Sequence, residues 1–95
     1  MKIKITKDFK EKLANQVEFI AKDKPSAARK FKNELIKRIK DIPKMPLKHR
    51  KSIFFENENI RDLIFKGYTV VYRIKENEKI IEVFGLTKYK EDPFD

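Results

Sequence analysis

Residues 60–75 read IRDLIF-KG-YTVVYRIK. Two runs rich in β-branched and aromatic side chains flank a two-residue connection, Lys66-Gly67. Parallel neighbours need a crossover of about a dozen residues, so this spacing predicts adjacent antiparallel strands. Working outward, a polar turn at Glu76-Asn77-Glu78 leads into KIIEVFGL (79–86), and SIFFE (52–56) runs into a polar ENEN turn (56–59) before Ile60. The pattern is that of an antiparallel meander of about four strands. Alternation puts Leu63 and Phe65 on one side with Arg61. In the next strand Tyr68, Val70, Tyr72 and Ile74 share a side, and Thr69, Val71 and Arg73 take the other. Both faces are partly apolar, so one should lie on helices and the other under a partner or the chain's own tail.

The N-terminal half supplies the helices. KIKI (2–5) alternates and reads as a first strand. Thr6 offers an N-cap oxygen and Asp8 a first-turn charge, and Phe9, Leu13, Val17, Ile20 and Ala21 recur at helical spacing, predicting a helix over about 7–22. Asp23-Lys24-Pro25 interrupts it. Proline suits a first helical position, so a second helix starts there, with a stripe of Ala28, Phe31, Leu35, Ile39 and Ile42 that ends at Pro43. The two form an antiparallel helical hairpin whose apolar stripe needs a sheet to rest on. PKMPLKHRK (43–51), with two prolines and no acid, reads as a basic loop. The fold class is therefore α+β in a single domain spanning residues 1–95, the size at which a chain buries one modest core.

Charge is placed unevenly. Residues 1–51 hold 17 Lys/Arg against 6 Asp/Glu, and residues 52–95 hold 7 against 9, giving halves of +11 and −2 within a total of +9. Such a field speeds encounter with nucleic acid, an acidic protein or an anionic surface. The absence of cysteine removes disulfides, thiolate metal sites and cysteine nucleophiles, and fits the cytoplasm. No apolar run is long enough to span a bilayer, and MKIKITKDFK lacks the apolar segment of a secretory signal. With glycine only at positions 67 and 85, no phosphate-cradling loop can be assembled. Nor is there a paired-carboxylate site or a metal-ligand cluster, so neither a cofactor nor a metal is expected.

In their order, Pro25, Ala27-Ala28 and Phe31, then Ile60-Arg61-Asp62-Leu63, Gly67-Tyr68 and Val71-Tyr72-Arg73, resemble the RelE/ParE superfamily of toxins from bacterial type II toxin–antitoxin (plasmid stabilisation) modules, over nearly the whole chain. The resemblance implies a helical hairpin on a small sheet and a growth-inhibiting protein. Its partner would be an acidic, partly disordered antitoxin with which it forms a hetero-oligomer. One branch of the superfamily cuts mRNA on the ribosome without metal, and the other, similar to ParE, inhibits DNA gyrase.

Metal-free RNA cleavage needs a group to activate the 2′-OH, one to stabilise the phosphorane and one to protonate the leaving oxygen. On that reading Arg73 would neutralise the phosphate, and Tyr89 or the neighbouring Lys88 would exchange the proton. The cations set to meet a target or nucleic acid are Arg61, Lys48, His49, Arg50, Lys51 and Lys90, with His49 expected as a solvated loop residue. Phe54, Phe55, Phe65 and Phe84 read as core or antitoxin-binding surface. RelE-like ribonucleases carry a basic residue after the Gly-Tyr pair, and an Arg with Tyr or His at the C-terminus. Here Thr69 and LTKYKEDPF stand instead, which tips the resemblance toward ParE. A non-toxic binding protein that keeps the fold is the reading from a different class.

Overall fold

The computed structural model describes residues 1–88. Strand β1 (Lys2–Ile5) leads into helix α1 (Lys7–Asp23) and helix α2 (Pro25–Asp41). A 3-10 turn (Ile42–Lys44) follows, then β2 (Arg50–Lys51), β3 (Ile60–Phe65), β4 (Tyr68–Lys75), a second 3-10 turn (Glu76–Glu78) and β5 (Ile80–Lys88). The helix boundaries have local causes. The Thr6 hydroxyl accepts from the Phe9 N–H at 3.2 Å, relieving one of the unpaired donors of the first turn. Pro25 occupies the start of α2, and Lys24, extended at φ −142°, both ends α1 and opens α2. Lys66 and Gly67 both hold positive φ, 47° and 80°, as the central residues of a type I′ hairpin turn do, which sets Phe65 opposite Tyr68.

The sheet has five strands in the order β1-β5-β4-β3-β2. Two expectations need correction. The sheet of about four antiparallel strands is a mixed one, because β1 lies parallel to β5 with Ile3 opposite Ile81 and Ile5 opposite Val83. The whole helical hairpin and the meander intervene between these strands, so nothing local could announce the pairing. The strand expected at 52–56 does not form; a two-residue strand, Arg50–Lys51, lies just before it and pairs with Arg61 and Asp62. Beyond it, side chains replace the ladder: Asp62 Oδ2 accepts from the Ile53 N–H at 3.1 Å, and Ser52 Oγ accepts from the Phe54 N–H at 3.2 Å.

The hairpin seals one face. Phe9, Leu13, Phe31, Leu35, Ile39 and Ile42 from the helical half meet Leu63, Phe65, Val70, Tyr72, Ile74, Ile81, Val83 and Leu86 from the sheet in one continuous core. Phe31 binds the layers together, with its ring 5.8 Å from that of Phe65 and 5.0 Å from that of Tyr68. The strand alternation expected for β3 and β4 holds. On the opposite face Ile60, Asp62, Thr69 and Val71 are also buried. The segment 52–59 folds back across that face, with Phe55 5.9 Å from Phe84, so the chain itself provides part of the cover expected from a partner or the tail. Phe84 is the extra residue of a β-bulge: Val71 faces Gly85 while Tyr72 faces Val83.

Candidate functional site

The basic loop between α2 and β2 is held in shape by buried groups. Pro43 ends the helical run, and turn bonds from the Met45 N–H to the Ile42 carbonyl (3.1 Å) and from the Lys48 N–H to the Met45 carbonyl (3.0 Å) curl the chain. Two long-range bonds then anchor it to the sheet. The Tyr72 hydroxyl donates to the Pro46 carbonyl at 2.5 Å, and the Arg61 guanidinium donates to the His49 carbonyl at 3.1 Å and the Glu58 carbonyl at 2.8 Å. Burial pushes the Tyr72 phenol well above its ordinary pKa, so it stays protonated and donating.

His49 is half-buried rather than solvated as expected. Its ring meets the Tyr72 ring edge-on at 6.0 Å. Burial first, then the Arg38 and Lys48 charges, hold the imidazole below its ordinary pKa. A cleft of about 180 Å³ opens beside it, lined by Arg38, Asp41, Lys44, Met45, Lys48 and His49.

Three other expected binding cations have partners within the chain. Arg50 reaches Asp62 Oδ2 at 3.3 Å, where the carboxylate is 1% exposed. Lys51 pairs with Glu58 at 3.1 Å, and Arg61 is the loop clasp just described. Of the set, Lys48 and His49 come together in one cleft. Lys90 and Tyr89 lie outside the described residues.

Of the residues expected to act on a phosphodiester, the two that are described, Arg73 and Lys88, lie far apart. Arg73 sits on the face away from the helices, 3.6 Å from Glu82 and 5.1 Å from the Phe84 ring centre. Lys88 stands opposite Tyr68 at the other end of the sheet, with its ammonium 6.0 Å from the Phe19 ring centre on the helix side. Arg73 and the register partner of Lys88 are separated by five positions of β4, ~17 Å along the strand. Among the described residues no group of His, Asp or Glu is placed to hold a metal ion, and no helix is long and apolar enough to cross a membrane.

A second concavity, about 450 Å³, runs along the hairpin. Ile5, Phe9, Leu13, Ala14, Val17 and Ile36 form its apolar floor, with Lys10, Lys32 and Glu18 at its margin. Sequence reasoning missed the inward roles of Asp62, Glu82 and Tyr72. Asp62 did leave a signal, an acid flanked by Ile60 and Ile64 on one side of a strand.

The model of the family described as "ParE toxin of type II toxin-antitoxin system, parDE" matches residues 3–93. The chain belongs to the ParE toxin family. Among solved structures it resembles one titled "Chromosomal ParDE TA system from P. aeruginosa", with a TM-score of 0.75 and 16% identity, covering 95% of this chain and 97% of that one. At that identity the likeness speaks for the fold: a helical hairpin on one face of a small sheet. The sequence finds no match among curated proteins. Membership of the ParE family places this chain among the toxins of type II toxin–antitoxin systems.

Proposed function

We propose that this ParE-family toxin arrests growth by binding DNA gyrase, and that an acidic antitoxin neutralises it. The observation that supports the choice of target class is the separation of Arg73 from Lys88, the two described candidates for phosphodiester chemistry. A metal-free nuclease needs its phosphate-neutralising cation and its proton donor within hydrogen-bond reach of one scissile bond. Arg73 and Lys88 lie on opposite faces, ~17 Å apart along the strand, and Glu82 already answers the Arg73 charge. Binding without chemistry fits this arrangement better than ribosome-dependent mRNA cleavage.

The antitoxin's seat in this reading is the hairpin groove. An amphipathic helix would lay its apolar side on Ala14, Val17 and Ile36, and its acids would meet Lys10 and Lys32. The toxin and antitoxin would then form a hetero-oligomer in the cytoplasm.

Purified toxin should inhibit gyrase supercoiling, and coexpressed antitoxin should restore growth of a bacterium induced for the toxin alone. Untouched supercoiling together with cleavage of translated message would replace gyrase by the ribosome as target. Soluble protein that leaves growth unaffected would mean a binding protein that keeps only the fold. Ile36→Asp in the groove should weaken the antitoxin complex and leave toxicity in place.

A further inference from the structure

The cleft at the end of α2 combines three properties. It is concave, it is dominated by cations, and its backbone is fixed. Arg38 enters from α2, Lys44 from the 3-10 turn, and Lys48 and His49 from the loop. The one acid, Asp41, already has the Lys44 ammonium at 3.3 Å. Relief of the helix C-terminus explains cations in the last turn of α2, Arg38 and Lys40. It does not explain Lys48, which lies beyond the turn, nor the anchoring of the loop that carries it.

Tyr72 is fully buried, so its bond to the Pro46 carbonyl fixes the middle of the loop from within the core. The Arg61 guanidinium fixes His49 by its carbonyl. Met45 and Leu47 are 63% and 58% exposed beside the cleft, an arrangement suited to close approach of a large partner.

We propose that this cleft binds a backbone phosphate of nucleic acid, with Arg38, Lys44, Lys48 and protonated His49 as the anion-facing groups. A single phosphate group suits a cleft of about 180 Å³. A polymer of regularly spaced phosphates suits the field beyond it, where Lys37 and Lys40 stand exposed on α2. Binding of this kind releases counterions, so it weakens with salt in proportion to the number of phosphates neutralised. The inference does not depend on gyrase being the target, since it concerns contact with nucleic acid by the toxin alone.

His49 is the only histidine in the chain, so its ring resonances report on the cleft without ambiguity. The groups around it are Arg38 and Asp41 from α2, Lys44 from the turn, Lys48 from its own loop, Arg61 from β3 and Tyr72 from β4. A phosphate placed among them stabilises the imidazolium. The His49 pKa should therefore rise on binding, and affinity should grow as pH falls from about 7.5 to about 5.5.

The test titrates the full-length toxin with inorganic phosphate, a duplex DNA of about 20 base pairs and a single-stranded RNA of similar length. It follows His49 by NMR and binding by fluorescence anisotropy. The double variant Lys44→Ala/Lys48→Ala is compared with Lys22→Ala/Lys24→Ala, which removes the same charge at the opposite end of the hairpin. We expect at least one of the two nucleic acids to raise the His49 pKa, and the cleft variant to weaken that binding by about tenfold and reduce its salt slope by about two. The control pair should change affinity by less than about threefold. Preference for DNA or for RNA identifies the source of the phosphate. Equal losses in the two variants, a His49 pKa indifferent to both nucleic acids, or a shift produced by polyglutamate as readily as by DNA would each overturn the proposal, the last in favour of an acidic protein segment. Gyrase inhibition is read in a separate assay, so either idea can fail alone.

Discussion

The two faces of the sheet are buried by different chemistry. Beneath the helical hairpin Leu63, Phe65, Val70, Ile74, Ile81, Val83 and Leu86 meet Phe9, Phe31 and Leu35, and the tyrosine hydroxyls there are answered, Tyr72 donating to the Pro46 carbonyl and Tyr68 accepting from the Gln16 amide. On the other face a carboxylate, a threonine hydroxyl and an Arg–Glu pair share the surface with Val71, Phe55 and Phe84. The first face holds the domain together by apolar burial, which is non-directional and tolerant of repacking. The second depends on directional bonds that fix the course of the 52–59 segment, and buried polar groups there are costly if left incomplete.

The largest effect should come from the hairpin face. Phe9→Ala empties the middle of the core and should cost about 4 kcal/mol in urea unfolding. Asp62→Ala comes next at about 3 kcal/mol, because it removes the partner of Arg50 and the acceptor of the Ile53 N–H together. Replacing the pair by Asp62→Leu with Arg50→Met should recover most of that loss while loosening the segment, read as faster amide exchange at Ile53 and Phe54. A loss for Asp62→Ala no greater than that of a surface pair would erase the distinction between the faces.

Thr69→Val tests the same distinction with the opposite sign. Its hydroxyl is fully buried with no hydrogen-bond partner among the described residues, so the swap should stabilise by about 1 kcal/mol, seen as a higher Tm. Arg73→Ala removes a half-exposed pair and should change stability by less than about 1 kcal/mol.

The smallest effect is the pH dependence contributed by His49. Its folded pKa lies below the ordinary histidine value of about 6.5, so the unfolded chain binds the extra proton more readily. That contribution is intact above about 6.5 and is lost as pH falls from there through the folded pKa. Replacing it, His49→Gln, should flatten this part of the stability–pH curve measured by chemical denaturation. A slope that persists would assign it to other groups.

Legibility followed the range of the interactions. Thr6, Pro25 and Pro43 marked the helix ends, and Lys66-Gly67 marked the hairpin, because caps, prolines and positive-φ turns act within a few residues. The apolar run at Ile53, Phe54 and Phe55 carried the same local pattern as a strand, and what denied it a ladder was a carboxylate nine positions away from Ile53. Among the site residues, Lys48 and His49 were found as a basic loop. Their neighbour Arg38 was visible only as one more helix cation, and the internal engagement of Arg50, Lys51 and Arg61 could not be seen in their order along the chain.

By itself, then, the sequence determined the two capped helices, the meander from Ile60 onward and the excess of cations in the first half, since each follows from neighbours in the chain. Tertiary structure alone decided that β1 runs parallel along β5, that Asp62 is buried, and which cations face solvent. Those outcomes depend on which distant groups a side chain meets once the core has closed, and on the cost of leaving a buried charge or backbone donor without a partner.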